Sequence, residues 1–161
     1  DACAEAKMGI PSKNPVLEIT IPTTVDRTLA PEGKHIVSVF VQYAPFELRD
    51  DQPSWDEQKD DYADNCIKII DEYAPGFKKS IIHRQVLSPL DLQRVYGLTG
   101  GNIFQGAMSP KQLFCFRPFV GWSDYSSPIK GLYLCGAASH PGGGVMGTCG
   151  KNASKRILRD I

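Results

Sequence analysis

The sequence predicts a mixed α/β (α+β) chain: most of an antiparallel-sheet domain, then the last strand and helix of a separate α/β domain. Three observations carry this. Residues 16–21 and 35–43 alternate in polarity, as strands of a sheet with one exposed face do. Residues 132–135 are continuously apolar, as in a parallel sheet covered on both faces. Glycines at Gly142, Gly143, Gly144 and Gly147 then lead from that strand into a helical pattern. A lone parallel strand leaves its backbone groups unpaired. Neighbours for 132–135 are not obvious in the chain, so this strand is assigned to a domain of its own.

Bulk properties narrow the function classes. The 161 residues can build a real core, and 42% apolar with 22% charged side chains is ordinary for a globular protein. Eighteen basic and eighteen acidic residues give no net charge, which argues against a nucleic-acid surface. The longest apolar runs, such as 36–41, are too short to span a bilayer, so no integral membrane segment is expected. Five scattered cysteines (Cys3, Cys66, Cys115, Cys135, Cys149) include no C-x-x-C pair. Neither a disulfide framework nor a metal site is expected, and a reducing, intracellular compartment is. The chain opens at Asp1 without Met, signal peptide or Arg-rich presequence, as a processed or excised fragment would.

Taken in order, residues 1–8 suit a short helix stopped by Gly9 and Pro11. Residues 16–21 are β-branched and alternating, hence a strand. A turn-rich stretch with Pro31-Glu-Gly33 precedes the second strand, 35–43, and the two suggest an antiparallel pair. Residues 55–73 have helical spacing, with Tyr62, Cys66, Ile69, Ile70 and Tyr73 on one face, and Pro75-Gly76 ends them. Residues 79–86 read as a third strand. Ser88 before Pro89 is an N-cap followed by proline at the first helical position, and Asp91 suits that end of a short helix reaching Tyr96. The four glycines of 97–108 mark a loop packed against something specific, and 112–119 are aromatic and apolar. After a polar loop, 121–130, come the buried strand and a closing helix, 144–161.

The segment Gly131-Leu-Tyr-Leu-Cys-Gly-Ala-Ala-Ser-His-Pro-Gly-Gly-Gly-Val-Met-Gly-Thr-Cys-Gly-Lys-Asn-Ala-Ser154 carries the chemistry. A strand-to-helix turn aims unpaired helix N–H groups outward, and the helix dipole adds about half a positive charge there. Anionic or electron-rich ligand atoms are stabilised at such an end when no Cβ blocks approach. A Walker A loop fits Gly150-Lys151 but fails at Val145 and Asn152. A G-x-G-x-x-G can be drawn through Gly142, Gly144 and Gly147, yet a leading dinucleotide fingerprint needs a second strand and an acidic residue beyond it. No G-x-S-x-G is present. A glycine-rich turn that only permits tight packing is the plain alternative.

The stretch from Gly131 to Gly147 resembles the C-terminal FAD-contacting segment of the phytoene desaturase-like flavoprotein oxidoreductases. Upstream segments resemble one branch of that family too: residues 21–35, 101–109 and Gln112-Leu-Phe-Cys-Phe-Arg-Pro118. The resemblance therefore covers nearly the whole chain. It implies the C-terminal part of a two-domain flavoenzyme, with a Rossmann-type FAD/NAD(P)-binding fold and a substrate domain on a mixed or antiparallel sheet. Residues 1–125 would belong to the substrate domain, and 126–161 would be the last strand and helix of the FAD-binding domain. The G-x-G-x-x-G fingerprint would lie in an N-terminal remainder of the same protein. That remainder is the expected partner, and this chain alone would not hold FAD tightly. By the same resemblance, Gly136 and Ala137 end the strand beside the pyrophosphate and ribityl chain. Gly143, Gly144, Val145, Met146 and Gly147 lie at the helix start under the isoalloxazine, with the Val145 and Met146 amides at its N1/O2 edge. Relatives often carry an acidic residue after the strand, and Ala137-Ala138 lacks it. A mitochondrial location is implied by resemblance only.

Other residues read two ways. His140 could serve as acid or base, but a hydrogen-bonded structural histidine is preferred. Arg117 could orient a substrate anion or a flavin oxygen, or form an inter-domain salt bridge, and both stay open. His83 and Arg84 are read as structural, and His35 as surface. Phe104, Phe114, Phe116, Phe119 and Trp122 could line an apolar substrate channel, with core packing the default. Cys135 and Cys149 are read as small apolar fillers rather than a redox pair. The acidic run 50–61 is read as a solvated face. The leading function is hydride transfer from a small-molecule substrate to flavin N5, no catalytic residue being assigned. The alternatives are a non-catalytic flavoprotein-fold scaffold or interaction subunit, and an independent ligand-binding domain.

Overall fold

The computed structural model describes residues 2–161. The chain divides into two compact units, Asp1–Leu92 and Gln93–Ile161.

In the first unit, helix α1 (Ala2–Lys7) ends where Gly9 turns the chain at φ 73°. A side chain at Gly9 would meet the Arg49 nitrogen at 2.6 Å, and the Gly9 carbonyl accepts the Arg49 N–H at 3.0 Å. Strands β1 (Val16–Thr20) and β2 (Ser38–Gln42) pair antiparallel, from Val16 opposite Gln42 to Thr20 opposite Ser38. The expected antiparallel pair forms, with the first strand one residue shorter at its end and the second shortened from 35–43 to 38–42. The long connection is pinned by buried Thr23, whose Oγ1 accepts the Ile36 N–H and is hydrogen-bonded to His35 Nδ1 at 3.0 Å. His35 itself is exposed, as expected.

Helix α2 (Trp55–Tyr73) has the expected bounds. At its start the Glu57 carboxylate accepts both the N–H of Ser54, at 2.9 Å, and its hydroxyl hydrogen, at 2.8 Å. Trp55, Cys66 and Ile70 are buried. The Trp55 indole N–H donates to the Pro45 carbonyl at 2.8 Å, and the Tyr62 ring meets the indole edge-on at 5.6 Å. Burial pushes the Cys66 thiol up to about 11. Tyr73, expected on the same face, is instead 88% exposed. The acidic run before and along this helix is solvated, as read from sequence.

The third strand expected at 79–86 does not form. Gly76 turns at φ 97°, and Phe77–Ser80 closes a short helix, α3. Residues 81–88 follow without helix or ladder. Alternation alone cannot make a strand, because its backbone groups need a partner. Arg84 instead ties this stretch to α2 through Asp60, at 3.3 Å, and Asp64. Helix α4 (Pro89–Tyr96) starts at the expected cap. Ser88 Oγ accepts the Asp91 N–H at 3.1 Å, and Asp91 Oδ2 accepts the Ser88 N–H at 3.0 Å.

The second unit is dominated by turns and by helix α5 (Thr148–Asp160). Its core is Tyr125 against Cys149 and Ala153 of α5. The strand expected at 132–135 is present only as one isolated pairing, Ser126 with Tyr133, and as the Leu134 N–H bonded to the Tyr125 carbonyl at 2.8 Å. Leu132 and Leu134 are 46% and 38% exposed rather than buried. A parallel ladder needs flanking strands, and none pairs with 132–135 among the described residues. Helix α5 also begins later than Gly144. Gly144 sits at φ 143° and Gly147 at φ 63°, neither of them helical. No helix among the described residues is long and apolar enough to cross a membrane.

Candidate functional site: a glycine-lined depression before the closing helix

The second unit contains an open depression of about 170 Å³ at the start of α5. It is lined by residues 135–137, 142–144 and 146–150. Six of the seven expected contact residues are thus brought together: Gly136, Ala137, Gly143, Gly144, Met146 and Gly147. Val145 is not among them, and its side chain is fully exposed.

Helix α5 places the N–H groups of Thr148, Cys149 and Gly150 in its first turn, just beyond the Val145 and Met146 amides expected at the flavin edge. All three residues line the depression. Reading Thr148 as a helix-start residue would have found them. Six glycines stand among the eleven residues lining the depression. A Cβ at Gly147 or Gly150 would meet nothing within 4 Å. A Cβ at Gly143 would press on Phe104 at 3.1 Å and on the Ala137 methyl at 3.4 Å, so this glycine permits packing behind the wall. Gly142 needs its conformation as well as its size: φ is 110°, and a Cβ would come within 2.9 Å of the Met108 methyl.

Two side chains brace the depression from behind. Arg117 is 2% exposed, and its guanidinium engages backbone carbonyls only. Nε and Nη2 donate to the Ala137 oxygen at 3.0 and 2.5 Å, Nη1 to the Gln112 oxygen at 3.3 Å, and Nη2 also to the Phe104 oxygen. Arg117 therefore forms no salt bridge among the described residues. Its bond to the Phe104 carbonyl ties it to the glycine-rich 97–108 loop. Tyr125 donates to the His140 carbonyl at 2.6 Å and accepts from Asn152 of α5 at 2.8 Å.

His140 is structural, in line with the preferred reading. Its Nδ1 accepts the Phe114 N–H at 3.2 Å, and the two rings pack 5.4 Å apart. Cys149 is a buried filler whose thiol points at the carbonyls of Ser139, His140 and Gly142, 3.6–3.7 Å away. Cys135, expected as a filler too, is exposed on the rim. The aromatics depart from core packing: Phe104, Phe114, Phe116 and Phe119 are 40–66% exposed. They stand on short turns around Arg117 that have no second layer to cover them. No acid or base side chain lines the depression.

No protein-family profile matches the chain. It is 52% identical over 161 residues to the pyridine nucleotide-disulfide oxidoreductase domain-containing protein 2 of Rattus norvegicus, covering 99% of this chain and 28% of that protein. It is 31% identical over 151 residues to a limonene dehydrogenase component of Castellaniella defragrans, covering 89% of this chain and 27% of that component. It is 27% identical over 153 residues to a 4,4'-diapophytoene desaturase of Staphylococcus haemolyticus, covering 92% of this chain and 30% of the desaturase. The chain thus spans less than a third of the length of each of these relatives. The resemblance to phytoene desaturase-like oxidoreductases read from the glycine-rich segment is thereby borne out, and from end to end the chain is similar to one portion of a pyridine nucleotide-disulfide oxidoreductase domain-containing protein 2.

Proposed function

We propose that this chain is the C-terminal portion of an FAD-dependent oxidoreductase and supplies the flavin-facing wall of its cofactor site. The observation that carries this is the depression itself, where six expected contact residues meet the first-turn amides of α5 on a glycine-rich surface. A backbone cradle at a helix N-terminus fits the electron-rich edge of a flavin. Its volume of about 170 Å³ is below the ~300–1,000 Å³ of complete ligand sites, which suits a wall completed by an N-terminal remainder carrying G-x-G-x-x-G. In this reading 126–161 belongs to the FAD-binding domain and 1–125 to the substrate domain, and the exposed segment 132–135 gains its ladder from strands of the remainder.

When bound, flavin supplies the acceptor, at N5, for a hydride leaving a substrate C–H or C–N bond. The chain's own part is positional and electrostatic. The Thr148, Cys149 and Gly150 amides and the α5 dipole favour negative charge at the depression. Gly136, Ala137 and Gly143 set the wall against which the cofactor lies, and Gly144, Met146 and Gly147 its rim. The exposed phenylalanines are available to line a channel for an apolar small molecule. That fits the substrates in the names of the limonene and diapophytoene relatives. A mitochondrial location is part of this reading by resemblance alone.

One observation favours a second reading, a non-catalytic flavoprotein-fold scaffold: no acid or base lines the depression. The absorbance spectrum of the full-length protein separates the two. Flavin bands that bleach on adding an apolar reductant substrate support the oxidoreductase. Flavin bands that no reductant bleaches favour the scaffold, and a protein that never takes up FAD sinks the flavin reading.

A further inference from the structure

Arg117 is the one fully buried cation among the described residues of the second unit, and nothing in the reading above uses its charge. A guanidinium has five N–H donors and no acceptor, and it carries a permanent positive charge. Burying it away from water is costly unless its donors are met. Here its four hydrogen bonds all go to neutral carbonyls, and no carboxylate pairs with it among the described residues. The hydrogen bonding is satisfied while the charge is not cancelled.

Its position is specific. The Ala137 carbonyl takes two of the four bonds, and Ala137 lines the depression. Gly142, also in the lining, is so close that a Cβ there would stand 3.8 Å from Nε. The guanidinium therefore lies directly behind the wall, one peptide away from the cavity, in a setting from which water is excluded. Charge acts at longer range there than at a wet surface.

Resting on the flavin reading, we propose that Arg117 is a positioning residue with an electrostatic role. It fixes the Ala137 peptide that forms the wall, and its uncompensated charge adds to the α5 amides in favouring the anionic reduced form of the cofactor. The two functions separate chemically: lysine keeps a charge but loses the planar fork, and methionine loses both.

The test uses the full-length protein with FAD, as wild type, Arg117→Lys and Arg117→Met, with folding checked by thermal melting. The flavin midpoint potential is read by dye-equilibrated reduction. Arg117→Met is expected to shift it negative by at least a tenfold change in the reduction equilibrium, ~30 mV for a two-electron couple. Arg117→Lys is expected to shift it less, yet to weaken FAD binding at least tenfold. A potential unchanged in Arg117→Met, or wild-type FAD affinity in Arg117→Lys, overturns the proposal. If Arg117→Met fails to fold, the lysine variant decides. If the wild type takes up no FAD, the flavin reading fails, and with it the electrostatic role. Hydrogen exchange then tests the positioning alone: Arg117→Lys must speed exchange of the 101–107 and 136–144 amides together, and unchanged protection overturns it.

Discussion

Tyr125 gives its phenolic hydrogen to the His140 carbonyl at 2.6 Å while accepting the Asn152 amide at 2.8 Å. One hydroxyl therefore ties the turn ahead of the glycine run to helix α5, although Tyr125 holds a left-handed φ of 73°. Replacing it with phenylalanine leaves two groups short of a partner in a part-buried site. Tyr125→Phe is expected to cost about 1–3 kcal/mol. Asn152→Ala should add little on top of it, because both remove the same link. Denaturant melts of the two single variants and the double variant check this, and full additivity would contradict it.

Acid should loosen the first unit through one carboxyl. Burial alone would raise Asp91, but the Ser88 N–H and hydroxyl and the Lys59 ammonium at 3.0 Å outweigh it and hold it at about 2. A carboxyl lowered in the folded state stabilises above its unfolded value of roughly 3.9, and that stabilisation is lost as pH falls through the folded value. The α4 start should therefore weaken between about pH 4 and pH 2. Asp91→Asn should remove this portion of the acid dependence, measured as stability against pH, while lowering stability at pH 7.

Gly142→Ala should destabilise for two reasons. Its φ of 110° is one that side chains rarely adopt, which carries most of the cost, and the added methyl would also displace the flexible end of the Met108 side chain, 2.9 Å away. We expect a loss of roughly 1–3 kcal/mol. Met108→Ala in the same chain should relieve the contact but not the backbone, so recovery in the melting temperature should be partial. Complete recovery would show that the conformation is not strained.

The first unit was largely legible in sequence because its signals are local. The Ser88-Pro89-Asp91 cap and the α2 periodicity depend on neighbours within a turn, and both formed as read but for the exposed Tyr73. The segment 79–86 forms no strand, and 132–135 only an isolated pairing, for one reason. Alternation or apolarity shows that a segment can join a sheet, whereas the ladder depends on partners far away in sequence. The site was legible as a set of residues but not in detail. The helix was read from Gly144, and the positive φ values of Gly144 and Gly147 delay its start to Thr148. Arg117 left its role open because its partners are carbonyls 5–20 residues away, which no pattern marks.

The central claim is that the α5 start is a cofactor surface rather than a packing turn, and Gly150 tests it most directly. A Cβ there meets nothing within 4 Å in this chain, and Gly150 lines the depression. Leucine is also a better helix former than glycine, by up to about 1 kcal/mol. FAD titration of the full-length protein should therefore show Gly150→Leu folding at least as stably as wild type while losing tenfold or more in FAD affinity. Equal FAD affinity in the two folded proteins would contradict the account.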